Sequence, residues 1–389
     1  MNAGLPAPGH AARAHSDKLT ALIGARIAAA GRWVSFADYM QMALYEPGLG
    51  YYSAGATKFG ADGDFVTAPE ISPLFSRSLA RQCADVLTGL GGGVVLEPGA
   101  GTGSLAVEML REFATLGIVP ERYCILETSA ELRARQAERI AQLPNELSAR
   151  VEWLEALPAQ PVRGVIVANE VADALPVRRF TVQGERILEL GVTHANAQLK
   201  SLARPASTNF ATAVRQAVGQ QVLADGYCSE FSEQLPGWLA ALLNSLNEGL
   251  LLLFDYGFAG HEYYLPERSE GTLRCYYRQR AHDNPYYLPG LQDITAWVDF
   301  SRCAEAAVQV GANVAGYTTQ AQFLLAGGIE ALLSAPSDQP PAAAAALASG
   351  LRRLVLPGEM GEAIKVMGLS KGDVVLPSGF NGRDLRARL

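Results

Sequence analysis

The sequence predicts an α/β protein in which a mostly parallel sheet is covered by helices on both faces. Short apolar runs typical of buried strands alternate with amphipathic helical segments along the chain. A glycine-rich turn at residues 99–103 follows the first buried strand and leads directly into a helix. The 389 residues are 49% apolar and 18% charged, a composition typical of globular proteins. Strands spaced by helices favour parallel pairing, because a parallel crossover needs room for a helix.

Two helices and a long loop are predicted at the N-terminus. The first helix is expected to start at a cap formed by Ser16 and Asp17, after a short disordered tail. The second ends before Pro47, and residues 48–75 then form a glycine-dotted, aromatic stretch without periodicity. Loops of this length are commonly lids or binding loops. We therefore predict that residues 1–80 form N-terminal helices and a lid loop.

The remaining residues, 81–389, are predicted to form the sheet domain with two insertions. Five strands are expected in "GVVLEPG", "RYCILET", "RVEWLE", "GVIVANEV" and "LLLLFDYG", and two more, joined by a turn, in "LRRLVLPGEMGEAIKVMGLSKG". The insertion at about 177–245 begins with a period-two segment typical of an antiparallel meander. The insertion at about 258–345 holds an aromatic loop, a helical stretch and a low-complexity linker.

Composition restricts the partners and ligands that the chain is expected to have. A net charge of −7 and a pI near 5.4 give no electrostatic support to nucleic-acid binding. The five cysteines are dispersed, and no metal-ligand spacing of His and Cys occurs, so we expect neither a disulfide framework nor a metal site. No apolar run is long enough for a membrane span, and the N-terminus lacks a secretory signal core. We expect a bacterial cytoplasmic location in preference to the mitochondrial matrix.

The glycine turn has the spacing Glu97-x-Gly99-x-Gly101-x-Gly103. No lysine follows the last glycine, which excludes a Walker A loop, and a serine replaces the third glycine of a dinucleotide fingerprint. An acid at the end of the strand would repel a pyrophosphate but can accept the ammonium group of a methionyl moiety. A second acid, Glu127, ends the next strand, where a carboxylate can accept both ribose hydroxyls. These features favour S-adenosylmethionine over NAD as the cofactor.

Several stretches in a fixed order resemble the MidA family of S-adenosylmethionine-dependent methyltransferases, from about Phe36 to Gly368. They are "DYMQMALYEPGLGYY", "GDFVTAPEISPLF", "EPGAGTG", "NEVADALPV", "LLLFDYG", "GTLRCYYRQRAHDNPYYLPGLQDITAWVDF" and "LVLPGEMGEAIKVM". The resemblance implies a class I methyltransferase fold, Rossmann-like with a seven-stranded sheet. Because the family includes a mitochondrial complex I assembly methyltransferase, it also implies methylation of an arginine on a complex I subunit. Trp297 stands where the family pattern leads us to expect His, so no role for an imidazole is carried over.

An arginine acceptor requires carboxylates, because its guanidinium is charged, delocalised and weakly nucleophilic. Asn169 and Glu170 end the fourth strand, at the sheet edge where open α/β sheets bind ligands. We predict Glu170 as the primary guanidinium clamp, Asp173 as a secondary one, and Asp255 as a third catalytic acid at the end of the fifth strand. Asn169 is predicted to line the cofactor. The alternative is that Glu170 and Asp173 only cap the short helix that follows.

Other residues carry weaker predictions. Thr67, with Asp64, is expected to face the cofactor, and Glu70 lies in the predicted lid. Asp293 and Asp299 could add acid to the acceptor pocket, and Asp293 could instead cap a helix. The expected partner is a protein with a reactive arginine, and a homodimer is one assembly that the sequence allows. Two further functions stay open: an assembly chaperone with little turnover, and a nucleotide-dependent oxidoreductase.

Overall fold

The computed structural model describes residues 5–54, 66–334 and 340–389. The chain divides into two compact units, each of which is described by itself. Unit 1 comprises Met1–Phe65, Asp173–Leu235 and Phe258–Arg302, and unit 2 comprises Val66–Ala172, Pro236–Gly257 and Cys303–Leu389.

The helices are distributed over both units. In chain order they are α1 (His10–Ala29), α2 (Phe36–Tyr45), α3 (Ala68–Ile71), α4 (Pro73–Leu90), α5 (Ser104–Leu116), α6 (Ala130–Ile140), α7 (Asn145–Ser148), α8 (Thr208–Val218), α9 (Gln234–Asn244), α10 (Gly260–Tyr263), α11 (Phe300–Gln309), α12 (Gln320–Ala326), α13 (Ile329–Ser334), α14 (Pro341–Val355) and α15 (Met360–Ala363). In the part of the chain that the structure describes, no helix is both long and apolar enough to cross a membrane.

The strands are also distributed over both units. In chain order they are β1 (Val34–Ser35), β2 (Val94–Pro98), β3 (Arg122–Leu126), β4 (Val151–Leu154), β5 (Val162–Asn169), β6 (Arg178–Gln183), β7 (Arg186–Ala195), β8 (Gln198–Pro205), β9 (Cys228–Phe231), β10 (Leu246–Phe258), β11 (Arg274–Tyr277), β12 (Arg280–His282), β13 (Asp293–Thr295), β14 (Val298–Asp299), β15 (Asn313–Thr319) and β16 (Ile364–Lys371).

Unit 2 contains a large mixed sheet with the strand order β15-β16-β10-β5-β2-β3-β4. The five strands from β10 to β4 pair in parallel, and all five predicted in this run are present. β16 runs antiparallel to both β10 and β15, so the sheet is mixed rather than wholly parallel. The order places β2 and β5 side by side, and with them the residues that follow their carboxyl ends.

Buried apolar strands and amphipathic helices form the core of unit 2. β2 is buried along its whole length, as expected for a strand covered on both faces. α4 is capped at its N-terminus by Ser72, whose hydroxyl accepts the Leu74 N–H, and at its C-terminus by Gly91 in the left-handed conformation. Phe254 of β10 lies edge-on to Phe75 and to Phe323, with ring centroids 5.4 Å apart in both pairs. These contacts join the sheet to its covering helices.

Unit 1 is built around an antiparallel sheet in which β6, β7 and β8 form the predicted meander. A smaller sheet of β11, β12 and β13 lies in the same unit. The prediction for the start of α1 was wrong. The helix begins at His10 after Gly9, and Ser16 is buried inside it. The alanine-rich segment before Ser16 has good helix propensity, which outweighs the capping preference of serine.

The late part of the chain also differs from prediction. Of the predicted low-complexity linker, residues 335–339 lie outside the described residues. The alanine run that follows is helical as α14, because alanine is the strongest helix former and Pro341 suits the first helical position. α14 also contains the "LRRLV" segment predicted as a strand. The partner of β16 is instead β15, within the predicted second insertion.

Candidate functional site

The glycine turn connects β2 to α5 within unit 2. Gly99, Gly101 and Gly103 have φ values of 67°, 52° and 82°. The left-handed region is open to glycine and costly for residues with a Cβ, so three glycines here are a conformational requirement. The Gly99 N–H donates to the Leu126 carbonyl of β3 at 3.0 Å, which holds the start of the turn against the next strand.

Glu97 lies at the end of β2 and is 3% exposed. The Tyr123 hydroxyl donates to Glu97 Oε2 at 2.6 Å. Burial, opposed by the Tyr123 bond and helped slightly by the nearby Glu127, raises the pKa of Glu97 to about 7. The site therefore offers a carboxylate that a cationic ligand would stabilise in its charged form.

Glu127 follows β3 and is also buried. Its Oε1 accepts the Ser129 N–H at 2.8 Å, and its Oε2 accepts Gln136 Nε2 at 3.3 Å. Gln136 was not among the residues predicted for the site. A signal was available, since Gln136 stands on the apolar face of α6 between Leu132 and Ile140, where a polar residue needs a buried partner.

A second turn follows β5. Glu170 has φ 52°, an uncommon conformation for a residue with a side chain, and its N–H donates to the Phe254 carbonyl at 2.8 Å. Its Oε1 accepts the Ala68 N–H at 2.9 Å and Asn169 Nδ2 at 3.2 Å. Burial raises the pKa of Glu170 to about 7, against the lowering effect of these two bonds. Asn169 Oδ1 is buried and has no hydrogen-bond donor among the described residues.

Asp255 of β10 is fully buried and fixes this second turn. Its Oδ2 accepts the N–H groups of Val171 at 3.2 Å and Ala172 at 2.8 Å, and its Oδ1 accepts the Tyr256 N–H at 2.9 Å. A carboxylate with three backbone donors is suited to holding a loop in place. These bonds connect Asp255 to the turn that carries Glu170.

The segment before α4 contacts the glycine turn. Thr67 is the N-cap of α3, without a side-chain capping bond. Glu70 Oε1 accepts the hydroxyls of Thr102 and Ser104, the latter at 2.7 Å, and Arg139 Nη1 at 3.3 Å. Glu70, predicted to lie in the lid loop, therefore contacts the glycine turn, and residues 55–65 of that loop lie outside the described residues. Asp64 lies outside the described residues.

The other predicted acids lie in unit 1. The Asp173 carbonyl accepts the Ala296 N–H, and the residue is 8% exposed. Asp293 Oδ1 accepts the Tyr52 hydroxyl at 2.9 Å, whereas Asp299 Oδ1 accepts N–H groups at the start of α11. The capping function considered for Asp293 is thus performed by Asp299. Trp297, in place of the expected histidine, packs on Phe258 with ring centroids 4.9 Å apart.

These groups fit the polar parts of S-adenosylmethionine. Glu97 can accept an ammonium group, Glu127 ribose hydroxyls, and the unpaired Asn169 Oδ1 a further donor, while the glycine backbone permits close approach. No group of three or more potential metal-binding side chains occurs within residues 5–54, 66–334 and 340–389. The polar groups of the site suit a cationic nucleoside.

Comparisons with known proteins agree with this ligand. The model of a family of S-adenosyl-L-methionine-dependent methyltransferases matches residues 78–318. One similar crystal structure, from Burkholderia thailandensis, is described as a likely methyl transferase bound to S-adenosyl-homocysteine. Its TM-score is 0.93 and its sequence identity 42%, over 99% of this chain and 100% of that chain. Another crystal structure from the same organism has a TM-score of 0.91 and 41% identity, with the same coverage.

Curated relatives are more distant in sequence. Protein arginine methyltransferase NDUFAF7, mitochondrial, of Danio rerio is 29% identical over 364 residues, covering 85% of this chain and 81% of the relative. The Homo sapiens protein of the same name is 27% identical over 370 residues, covering 86% and 80%. The predicted MidA resemblance and cofactor are confirmed, and the oxidoreductase alternative is wrong. This chain belongs to the family of S-adenosylmethionine-dependent methyltransferases and has their class I fold.

Proposed function

We propose that this methyltransferase modifies an arginine side chain of a protein. The observation that carries the proposal is Glu170, a half-buried carboxylate held in a left-handed turn that follows the carboxyl end of β5. The curated relatives are named as protein arginine methyltransferases, which supports the same acceptor.

The chemistry of arginine explains why such a carboxylate is needed. A guanidinium is charged at neutral pH and spreads its electrons over three nitrogens, so no single nitrogen is a good nucleophile. A carboxylate that accepts from two guanidinium N–H groups aligns the group and draws positive charge away from the reacting nitrogen. Oε1 of Glu170 is already held by Ala68 and Asn169, whereas Oε2 accepts no hydrogen bond from any residue that the structure describes. Oε2 is thus the atom proposed to receive the acceptor.

On the cofactor side, bound S-adenosylmethionine supplies an electrophilic methyl group. The residues proposed to hold it are Glu97, for the ammonium group, Glu127, for the ribose hydroxyls, and the backbone of Gly99, Gly101 and Gly103. Asn169 Oδ1 and Thr67 are proposed to line the same site. Alignment is the main contribution of the protein, because the transfer is a direct displacement at carbon.

The proton balance also involves Glu170. As the arginine nitrogen forms a bond to the methyl carbon, the carbon–sulfur bond breaks and the nitrogen loses a proton. Because its pKa is about 7, Glu170 can accept that proton near neutral pH. Asp255 acts through the turn that it fixes, and the secondary clamp at Asp173 stays a prediction.

The client is proposed to be a subunit of respiratory complex I or its bacterial counterpart, on the strength of the family resemblance. A net charge of −7 suits a client segment rich in arginine. The bacterial cytoplasm is proposed as the location, since the similar crystal structures come from a bacterium. A homodimer remains part of the proposal, to be checked by light scattering.

The decisive variant is Glu170→Gln. We expect methyl transfer from labelled S-adenosylmethionine to fall about 100-fold, because a neutral amide cannot neutralise a guanidinium or accept its proton. Affinity for S-adenosyl-homocysteine, measured by calorimetry, should stay within roughly 3-fold. Methyl incorporation is compared between extracts of strains with and without this protein. Mass spectrometry then locates the methylated arginine.

A matched control is Glu112→Gln, since Glu112 is a 7%-exposed acid on α5 that pairs with Arg81 at 2.7 Å. It should leave transfer unchanged. If Glu170→Gln retains transfer within a few-fold, the clamp is another residue. If a transfer-deficient Glu170→Gln protein still restores complex I assembly in a deletion strain, the chaperone function is favoured instead.

A further inference from the structure

Gln136 is the polar centre of a buried network on the cofactor side of unit 2. It is completely buried. Its Nε2 donates to the Gly101 carbonyl at 3.0 Å and to Glu127 Oε2 at 3.3 Å, and its Oε1 accepts Trp153 Nε1 at 2.9 Å. Its stem also packs on the turn, because a Cβ added at Gly103 would lie 3.3 Å from Gln136 Cγ.

The orientation of this amide is determined by its partners. Both Nε2 hydrogens face acceptors, namely a carbonyl and a carboxylate, while the oxygen faces an indole N–H that can only donate. A flipped amide would place its oxygen against those two acceptors and its NH2 group against another donor. The network therefore has one arrangement in which every bond is made, and Trp153 selects it.

From this geometry we propose that Gln136 is a positioning residue that couples the two halves of the cofactor site. The inference rests on the proposed cofactor contacts, with the methionyl end at the glycine turn and the ribose at Glu127. One amide group donates to both Glu127 and the Gly101 carbonyl. When a ribose binds Glu127 and fixes its position, the same amide therefore also fixes the Gly101 carbonyl. Gln136 does this without itself contacting the reacting atoms.

The first test replaces the amide by an apolar group of similar size. In Gln136→Leu, we expect affinity for S-adenosyl-homocysteine to fall about 10-fold, since two groups of the site lose a buried hydrogen-bond donor. Affinity for adenosine alone or methionine alone should fall less, because neither ligand engages both halves. The KM for S-adenosylmethionine should rise while kcat at saturation stays near that of the wild type.

Trp153→Phe provides a milder variant that retains the aromatic packing but removes the N–H that orients the amide. We expect its S-adenosyl-homocysteine affinity to fall about 3-fold in the wild-type background and not at all in Gln136→Leu. A residue that only fills space would not show this dependence. The variant also keeps the inference testable if Gln136→Leu does not fold.

Gln136→Glu provides a test in which ligand affinity is measured as a function of pH. The introduced carboxylate would face both Glu127 and the Gly101 carbonyl, so binding is expected to be weak at pH 8. As the pH falls to 6, that carboxylate gains a proton that it can donate, and affinity relative to the wild type should recover by about 3-fold or more.

Two failures can be told apart. If Gly101→Val binds S-adenosyl-homocysteine as well as the wild type does, the cofactor placement is wrong and this inference falls with it. If Gly101→Val loses the ligand but Gln136→Leu and Trp153→Phe bind within 2-fold of the wild type, the placement stands. Gln136 is then a packing residue, and the inference is overturned.

Discussion

The turn after β2 and the turn after β5 each lie beside a glutamate, Glu97 and Glu170, whose pKa is raised to about 7 by desolvation, yet the two turns reach left-handed backbone by different means. The first uses glycines, at which φ values of 52–82° cost little. The second places Glu170 itself at φ 52°. Asp255 then holds the residues that follow through the N–H groups of Val171 and Ala172.

The difference shows where local sequence is sufficient to shape a site. Glycine adopts left-handed backbone without help from its surroundings, so the first turn can be predicted from a short stretch of sequence. The second turn depends on a carboxylate about 85 residues away, and the strain at Glu170 is maintained by surrounding bonds. We therefore expect substitutions in the first turn to act on cofactor binding, and those in the second to act on transfer and stability.

The largest effect is expected from Gly101→Val. A β-branched side chain at φ 52° is strained, and it would occupy the space that the methionyl group is proposed to use. Binding of S-adenosyl-homocysteine should be undetectable by calorimetry, which is roughly a 100-fold loss or more, while circular dichroism shows a folded protein.

The control is Gly117→Val at the other end of α5. Gly117 has φ 69° and open space where a Cβ would be, so the backbone strain is comparable and the cofactor turn is untouched. It should be less stable but bind normally. Equal losses of binding in both variants would show that strain, not occlusion, is responsible.

Asp255→Asn tests whether the second turn depends on its distant carboxylate. One amide oxygen cannot replace two carboxylate oxygens, and its NH2 group would face a backbone N–H. We expect the free energy of unfolding in urea to fall by about 2 kcal/mol, in line with the loss of hydrogen bonds to a charged group. Methyl transfer should fall about 10-fold with S-adenosyl-homocysteine affinity nearly unchanged. Normal transfer would mean that the turn keeps its shape without Asp255.

A pH series tests the raised pKa of Glu97. The folded-state pKa of Glu97 is raised to about 7 from an ordinary 4.5, so the folded protein binds more protons than the unfolded chain between these values. Stability from this group is present at low pH and lost as pH rises from about 4.5 to 7, by roughly 1–3 kcal/mol. In Glu97→Gln, the unfolding free energy measured in urea at pH 5 to 8 should no longer show this part of the decrease with pH.

The same substitution should alter ligand binding. In the wild type, S-adenosyl-homocysteine affinity should rise with pH through about 7, because the ammonium group needs the charged form of Glu97. In Glu97→Gln it should be weaker and nearly independent of pH over this range. A Glu97→Gln protein with the wild-type pH profile would place the ammonium contact elsewhere.

The smallest effect is expected from Glu70→Gln. Glu70 accepts two hydroxyls of the first turn, but its partner Arg139 is 42% exposed and 3.3 Å away. An ion pair of this kind contributes little, so unfolding free energy should change by about 0.5 kcal/mol. Cofactor affinity should change less than 3-fold. A change of more than 10-fold would make Glu70 a part of the cofactor site.

Much of the parallel core was predictable, because its strands are continuous apolar runs separated by amphipathic helices. β16 was also recognised, but its partner was not. β15 lies within the segment predicted as the second insertion, and only its pairing with β16 shows that it belongs to the large sheet. The start of α1 was missed because alanine and serine favour opposite interpretations of the same segment.

The candidate site was likewise predictable in part. Glu97 and Glu127 could be located from the glycine spacing and the strand ends. The bonds of Asp255 could not, since they depend on how β10 registers with β5, where Phe254 pairs with Asn169. Gln136 was overlooked because one amide on a helix has no motif, although its place among apolar neighbours indicated a buried partner.

The half-protonated state of Glu97 near neutrality has a thermochemical consequence. A ligand that requires the anion must expel a fraction of a proton into solution as it enters, and the buffer takes that proton up. The heat of titration will therefore depend on the ionisation enthalpy of the buffer, with phosphate and Tris giving different apparent enthalpies for one and the same equilibrium.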